Sequence, residues 1–273
     1  NTQAKLLDFD TIYYTLNQLL PAREPRPGRN VGWSLVGSSW NRNDKNRPIP
    51  PVVSPLPIEK CSLSPLVGST VLGSKQWTNP NWKFNENGVM PRGKGNNSTR
   101  KAYGNAQIHL EFRFEPSDNP EWTGQLYGNS GIFLMSGYEM QVVNSYQNPT
   151  FADGTCGSIY GQHPPLVNAS RKPGEWQAYD ILMKAPVFLE GGEVKEPLRV
   201  TAFHNGILIH DDVWVYGEVG GPYKKHGKRP LMIQDHKGTG VSFRNIWIVE
   251  DAPYEQSLSK FRNLYPKSLR SSI

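Results

Sequence analysis

The chain has 273 residues, with 26 Gly, 23 Pro, eight Trp, twelve Tyr and a formal charge of +6. This composition favours many short strands and turns over a helical bundle, and the length is ample for one large core. The basic residues are scattered, which fits solvated surface rather than a nucleic-acid stripe, and no stretch approaches the ~20 apolar residues of a membrane span.

Residues 1–20 place Leu6, Leu7, Phe9, Ile12, Tyr13, Leu16, Leu19 and Leu20 close to one helical face, and Pro21 stops the run. Residues 21–58, rich in Pro, Arg and Asn, predict an extended connector. The chain therefore divides into a helix plus Pro-rich extension over 1–60, a main domain over 61–252 and a basic tail over 253–273. It starts at Asn1 without a signal peptide, consistent with a processed secreted protein or a trimmed chain. From about residue 64, strand signals recur at 69–72, 82–85, 89–90, 106–114, 131–134, 138–143, 176–184, 198–204, 207–210, 230–235 and 241–250. Asn205-Gly206 between two such runs is the strongest hairpin signal. This density of strands argues for an all-β, two-sheet sandwich of jelly-roll type.

The stretch 128–163 is the centre of the chain. Period-2 geometry on 138–143 puts Tyr138, Met140 and Val142 toward a core and Glu139, Gln141 and Val143 on the opposite face. Packing gives no reason for a Glu and a Gln side by side there. Acetal cleavage by a glycosidase needs two carboxylates, yet amides, Gln141 and Asn144, stand where further acids would be wanted. One carboxylate flanked by amides suits a single proton transfer with hydrogen bonds to sugar hydroxyls; the plain alternative is an exposed polar strand face.

Other candidates lie downstream. Asp235-His236 follows a strand run, where a titrating imidazole beside a carboxylate suits acid–base work, although turn chemistry explains the pair equally well. In the loop Tyr223-Lys224-Lys225-His226-Gly227, Lys224 or His226 could hold an oxyanion or carbonyl. His163, on a loop near the central stretch, could reach the same cavity, whereas His109, His204 and His210 read as surface residues of strands or hairpins. Cys61 and Cys156 lack metal-ligand spacing; they could form one disulfide or remain buried free thiols. Asn97-Ser98-Thr99 and Asn168-Ala169-Ser170 match the glycosylation acceptor pattern, which is common by chance.

The segments GNSGIFLMSGYEMQVVNSY, DGTCGSIYGQHPPLVNASRKPGEWQAYDI, RVTAFHNGILIHDD, PYKKHG and PLMIQDHKGTGVSFRNIWI, in this order over roughly residues 65–250, resemble the 3-keto-disaccharide hydrolase family of carbohydrate-degrading bacteria. The resemblance implies a concanavalin/laminin-G-like jelly roll, a periplasmic or secreted setting, and a substrate glycoside already oxidised at C3. It implies removal of the acidified C2 proton, β-elimination of the C1 leaving group and addition of water. Carried onto this sequence, it implies Glu139 or His236 as the base, Asp235 as orienter or metal ligand, and Lys224 or His226 as a carbonyl or enolate donor. Gln141, Asn129, Tyr146 and His163 would bind substrate, and Arg244 could reach the same sheet face. A divalent cation could stabilise the enolate, but the sequence shows no specific ligand set.

Overall fold

The computed structural model describes residues 50–237 and 240–250. The expected helix over 1–20, the connector before residue 50 and the tail over 253–273 lie outside the described residues. Among the described residues no helix is long and apolar enough to cross a membrane. A single helical turn, α1 (Ile58–Cys61), precedes twelve strands: β1 (Thr70–Val71), β2 (Asn97–Tyr103), β3 (Ala106–Phe114), β4 (Ser130–Leu134), β5 (Tyr138–Val142), β6 (Gln177–Lys184), β7 (Val187–Phe188), β8 (Val194–Glu196), β9 (Arg199–His204), β10 (Ile207–Trp214), β11 (Arg229–Ile233) and β12 (Val241–Glu250). They form a six-stranded sheet, β1-β12-β3-β6-β9-β10, a four-stranded sheet, β2-β11-β4-β5, and the small β7-β8 pair, antiparallel throughout. This is the expected all-β jelly-roll sandwich.

Alternation builds the core. Ile108, Leu110, Phe112 and Phe114 of β3 and Phe243 and Ile248 of β12 meet Ile132, Leu134, Met140, Val142, Leu231 and Ile233 of the other sheet in one buried cluster. Each such side chain contributes roughly 1.5–3 kcal/mol on burial. The predicted runs at 106–114 and 241–250 coincide with β3 and β12. Asn205 and Gly206 take φ of 52° and 76°, the left-handed pair that a tight hairpin turn requires. The turn between β4 and β5 falls on Met135 and Ser136 (φ 48° and 57°), one residue before the Ser136-Gly137 signal.

Three features depart from the sequence expectations. Residues 82–85 form no strand; the Trp82 indole N–H instead donates to the Gly95 carbonyl at 2.6 Å, pinning a turn. Strand β2 gave no signal because NSTRKAY is polar, and it pairs only with β11 among the named strands, as an outer strand with a partly exposed face. His109, His204 and His210 are buried rather than superficial, and each has a local partner: Asp180 Oδ1 at 2.7 Å, Gln177 Oε1 at 2.9 Å and the Gly157 carbonyl at 2.6 Å. A buried imidazole with a partner is as acceptable in a strand as an apolar side chain.

His109 belongs to a network on the outer side of the six-stranded sheet. Glu111 Oε2 accepts from Arg244 Nε at 2.7 Å, and Glu111 Oε1 accepts from Asn245 Nδ2 at 2.8 Å and Ser62 Oγ at 2.5 Å. Burial pushes the Glu111 carboxyl up, but these donors and His109 outweigh it and bring the group down to about 2. His109 stacks on Trp247, whose indole N–H donates to the Leu63 carbonyl, so the segment after α1 is fastened across this face. Cys61 and Cys156 are both free and buried; Cys156 Sγ lies 3.1 Å from Tyr179 Oη in the core. Asn97 of the first acceptor pattern is fully buried and accepts from the Asn79 amide, so a glycan has no access there.

Candidate functional site

The hairpin of β4 and β5 is buried on both faces, which is unusual for the outer half of a sandwich. Its register pairs Leu134 with Tyr138, Phe133 with Glu139, Ile132 with Met140 and Gly131 with Gln141. Tyr138, Met140 and Val142 enter the core, so Gly131, Phe133, Glu139 and Gln141 share the outer face. The expected alternation holds to Val142 and then breaks, because Val143 also packs into the core. On the neighbouring strands, Met232 of β11 lies opposite Phe133, and Ser98 of β2 lies opposite Met232. One row across the sheet therefore reads Ser98, Met232, Phe133, Glu139.

Glu139 is 5% exposed. Its carboxyl leans across the strand over Gly131. A Cβ at position 131 would run into Glu139 Oε1 and stand 2.9 Å from Phe133 Cε2, so only glycine leaves the space. No cation and no hydrogen-bond donor faces the carboxyl among the described residues, and burial alone pushes it up to about 8. Among the described residues the paired positions of this sheet's outer face hold no second carboxylate: Gln141 lies beside it on β5, Gly131 and Phe133 on β4, Met232 on β11 and Ser98 on β2. A carboxyl in this setting is a proton acceptor of unusual basicity when ionised and a proton donor when not.

A polar hub sits beside it. Gln125, on the 3-10 turn Gly124–Leu126, accepts from Gln141 Nε2 at 3.0 Å and from Asn129 Nδ2 at 3.1 Å through its Oε1. Its own amide donates to Thr150 Oγ1 and the Gly154 carbonyl, both at 2.7 Å. The edge of β5 is closed by the chain at 157–160: the Gln141 amide donates to the Ser158 carbonyl and the Tyr160 amide to the Glu139 carbonyl. Asp153, a buried acid on the turn Ala152–Gly154, adjoins this segment through its carbonyl and the Gly161 amide. The place of Gln125, Gly131, Phe133, Met232 and Asp153 beside Glu139 was not legible in the sequence, because turn residues have no periodicity and a cross-strand row appears only once the register is known.

The structure brings Glu139, Gln141 and Asn129 together. Asp235 and His236 follow β11 at the Gly131 end, where the Gln234 amide donates to the Gly131 carbonyl. Asp235 does not orient His236: Oδ2 accepts the Gly95 amide at 2.8 Å and Oδ1 lies 3.4 Å from Arg92 Nε. Arg92 also donates to the His236 carbonyl, while the His236 ring places Nδ1 2.9 Å from the Lys237 carbonyl. Tyr146 is partly exposed beyond the end of β5. His163 lies with Nε2 2.7 Å from the Trp214 carbonyl, and burial pushes its pKa down. Lys224 is exposed. His226 Nε2 meets Tyr138 Oη at 2.7 Å, and Tyr138 points to the side of β5 opposite Glu139. Arg244 is held by Glu111 and stacks on Trp176 at 4.1 Å, on the outer face of the six-stranded sheet. It therefore stands across the sandwich from Glu139. Among the described residues no cluster of three or more His, Cys, Asp or Glu fits a metal ion.

Comparison with known proteins places this geometry in context. The sequence profile of the 3-keto-alpha-glucoside-1,2-lyase-like domain matches residues 68–249. A solved structure of a protein described as a candidate glycosyl hydrolase, from Parabacteroides distasonis ATCC 8503, is 35% identical, with a TM-score of 0.63; the match covers 76% of this chain and 94% of that one. Two further structures with the same description and organism are 21% and 20% identical, with TM-scores of 0.47 and 0.45. They cover 67% and 64% of this chain and 94% of each of their own. No curated protein matches.

Proposed function

This chain belongs to the family of 3-keto-alpha-glucoside-1,2-lyase-like domains, and from that premise we propose that it cleaves 3-keto-glycosides by elimination rather than by direct attack on the acetal. The observation that carries this reading is the lone, desolvated Glu139 on the outer sheet face, with a carboxyl that titrates near 8 and an amide where a second acid would stand. Paired-carboxylate hydrolysis needs two acids roughly 5–9.5 Å apart flanking one bond. Among the described residues the paired positions of this outer face offer one.

In the proposed reaction, ionised Glu139 takes the C2 proton, which the C3 ketone acidifies. The C–H electron pair becomes the C1–C2 double bond as the C1–O bond breaks, and the leaving oxygen acquires a proton to depart as an alcohol. Water then adds across the double bond, with oxygen at C1 and hydrogen at C2, to give the free 3-keto sugar. No electrons are gained or lost overall. Gln141, positioned through Gln125, and Asn129 hold hydroxyls and the ring. His236, near Gly131, supplies or accepts the second proton. Such proton transfers contribute typically 10²–10⁴-fold each.

The test is release of aglycone from a 3-keto-glycoside, compared with the same glycoside unoxidised. Turnover of the oxidised substrate alone supports elimination. Equal turnover of both substrates would favour a conventional glycosidase, and sugar binding without turnover of either would favour a non-catalytic binding module. His236→Ala should lose turnover while keeping its unfolding temperature; an unaltered rate would remove His236 from the reaction.

A further inference from the structure

Removal of the C2 proton creates a need that Glu139 does not meet. Negative charge develops on the C3 oxygen before the C1–O bond breaks, and a preorganised donor at that oxygen lowers the barrier. Of the two donors expected from the sequence, His226 meets Tyr138 on the side of β5 opposite Glu139, and Lys224 sits two residues before it, exposed.

A phenol stands beside the base instead. The segment 157–160 adds to the free edge of β5 as an antiparallel partner. The Gln141 amide donates to the Ser158 carbonyl at 2.9 Å, the Tyr160 amide donates to the Glu139 carbonyl at 3.0 Å, and Ile159 pairs with Met140. Tyr160 is therefore directly opposite Glu139, about 5.5 Å away between Cα atoms. Met140 and Ile159 both enter the core, so Glu139 and Tyr160 share the outer face. A bulge sets this parity. The Gln141 carbonyl accepts from the Gly157 amide at 2.9 Å, so Gly157 and Ser158 together stand opposite Gln141, with Gly157 at φ 84°. Such a glycine bulge re-aims the residues that follow it. Cys156 and Ile159, three residues apart, then both reach the core, and Tyr160 turns out. Its ring meets the Phe151 ring edge-on, with centroids 6.1 Å apart. Phe151 lies against Gly154, whose carbonyl accepts from the Gln125 amide, so the phenol is held at the polar hub, half-buried. Among the described residues no hydrogen bond engages its hydroxyl. The Glu139 carboxyl leans the other way, over Gly131, and does not occupy it.

We propose that Tyr160 is a catalytic residue of this site: its hydroxyl donates a hydrogen bond to the C3 oxygen of the bound 3-keto sugar and holds the enolate formed when Glu139 removes the C2 proton. The inference rests on the reading of Glu139 as the base. The two groups act on neighbouring carbons of the ring, as side chains on neighbouring strands can. The C2–H electron pair becomes a C2–C3 double bond, and the C3 carbonyl pair moves onto oxygen. Tyr160 keeps its own proton throughout. The carbonyl then re-forms as the C2–C3 pair shifts to C1–C2 and the C1–O bond breaks, so electrons balance without a co-reactant.

Two measurements test it. Tyr160→Phe keeps the ring and its contact with Phe151 and removes only the hydroxyl. On a 3-keto-glycoside it should lower kcat by about 10²–10³, the usual effect of losing one donor to a developing oxyanion, with KM and unfolding temperature little changed. The second measurement follows exchange of the C2 proton for deuterium, by nuclear magnetic resonance, in 1,5-anhydro-3-keto-glucitol, which has no group to expel from C1. Wild type should catalyse this exchange, and Tyr160→Phe should slow it by the same factor as kcat. Exchange at the wild-type rate in a variant that has lost turnover would overturn the proposal, because the hydroxyl would then serve the leaving oxygen. Exchange and turnover both intact in the variant would overturn it as well and leave the elimination reading standing. Neither exchange nor aglycone release by wild type would overturn both.

Discussion

Replacing Glu139 with Gln should make the protein inactive and, above neutral pH, more stable. A carboxyl held at about 8 rather than 4.5 keeps its proton in the folded state over a range where the unfolded chain has released it. Between those values the native state binds more protons, so stability falls as pH rises through the window. At about 1.36 kcal/mol per pH unit, the full loss above pH 8 is roughly 5 kcal/mol and the loss at pH 7 roughly 3 kcal/mol. Gln has nearly the same shape, does not ionise, and escapes this loss. Urea or thermal unfolding of both proteins at pH 5 and pH 8.5 isolates the effect, because other titrating groups cancel in the difference. The Glu139→Gln protein should be nearly equal to wild type at pH 5 and melt about 10–20 °C higher at pH 8.5, with 1 kcal/mol corresponding to roughly 2–4 °C for a domain of this size. If wild type keeps pace with the variant up to pH 8.5, Glu139 is not a desolvated acid, and the argument for it as a tuned base loses its footing.

The same titration predicts that kcat/KM on a 3-keto-glycoside rises with pH and levels off above about 8, where the base is ionised; a profile flat from pH 5 to 9 would contradict this. Gly131→Ala should fold with a cost of about 1–3 kcal/mol and lose most activity, since the new methyl displaces the Glu139 carboxyl, and chemical denaturation with a turnover assay separates the two effects. Gln125→Ala should raise KM at least as much as it lowers kcat, because it frees Gln141 and Asn129, which hold substrate, rather than the base. Across the sandwich, Glu111→Gln should lower stability by about 3 kcal/mol through loss of the charge facing Arg244 and His109, and leave turnover intact at temperatures where the variant is folded. That deficit should shrink as pH falls from 4.5 toward 2, where the wild-type carboxylate is itself protonated.

The sequence by itself determined the fold class and the strands of the core, and it singled out Glu139 as the candidate base. Runs such as 106–114 and 241–250 alternate because one face is buried and the other is not, and burial leaves that period in the residue order. Glu139 was legible for the complementary reason: a carboxylate and an amide on one face of a core strand have no packing role. Asn129 and Gln141 could be named beside it because all three lie within one hairpin and its approach. The tertiary structure alone decided which distant polar residues join them. Arg244 looked available, yet β12 lies in the other sheet, and one residue's parity sends its side chain to Glu111 instead. His226 lies close to β5 but meets Tyr138 on the wrong side of the strand. Strand β2, polar and without a strand signal in the sequence, turned out to end the row that begins at Glu139. Local pattern reports what a residue avoids, namely water or the core. Register and sheet order, set by long-range pairing, report what it meets, and it is these meetings that make a site.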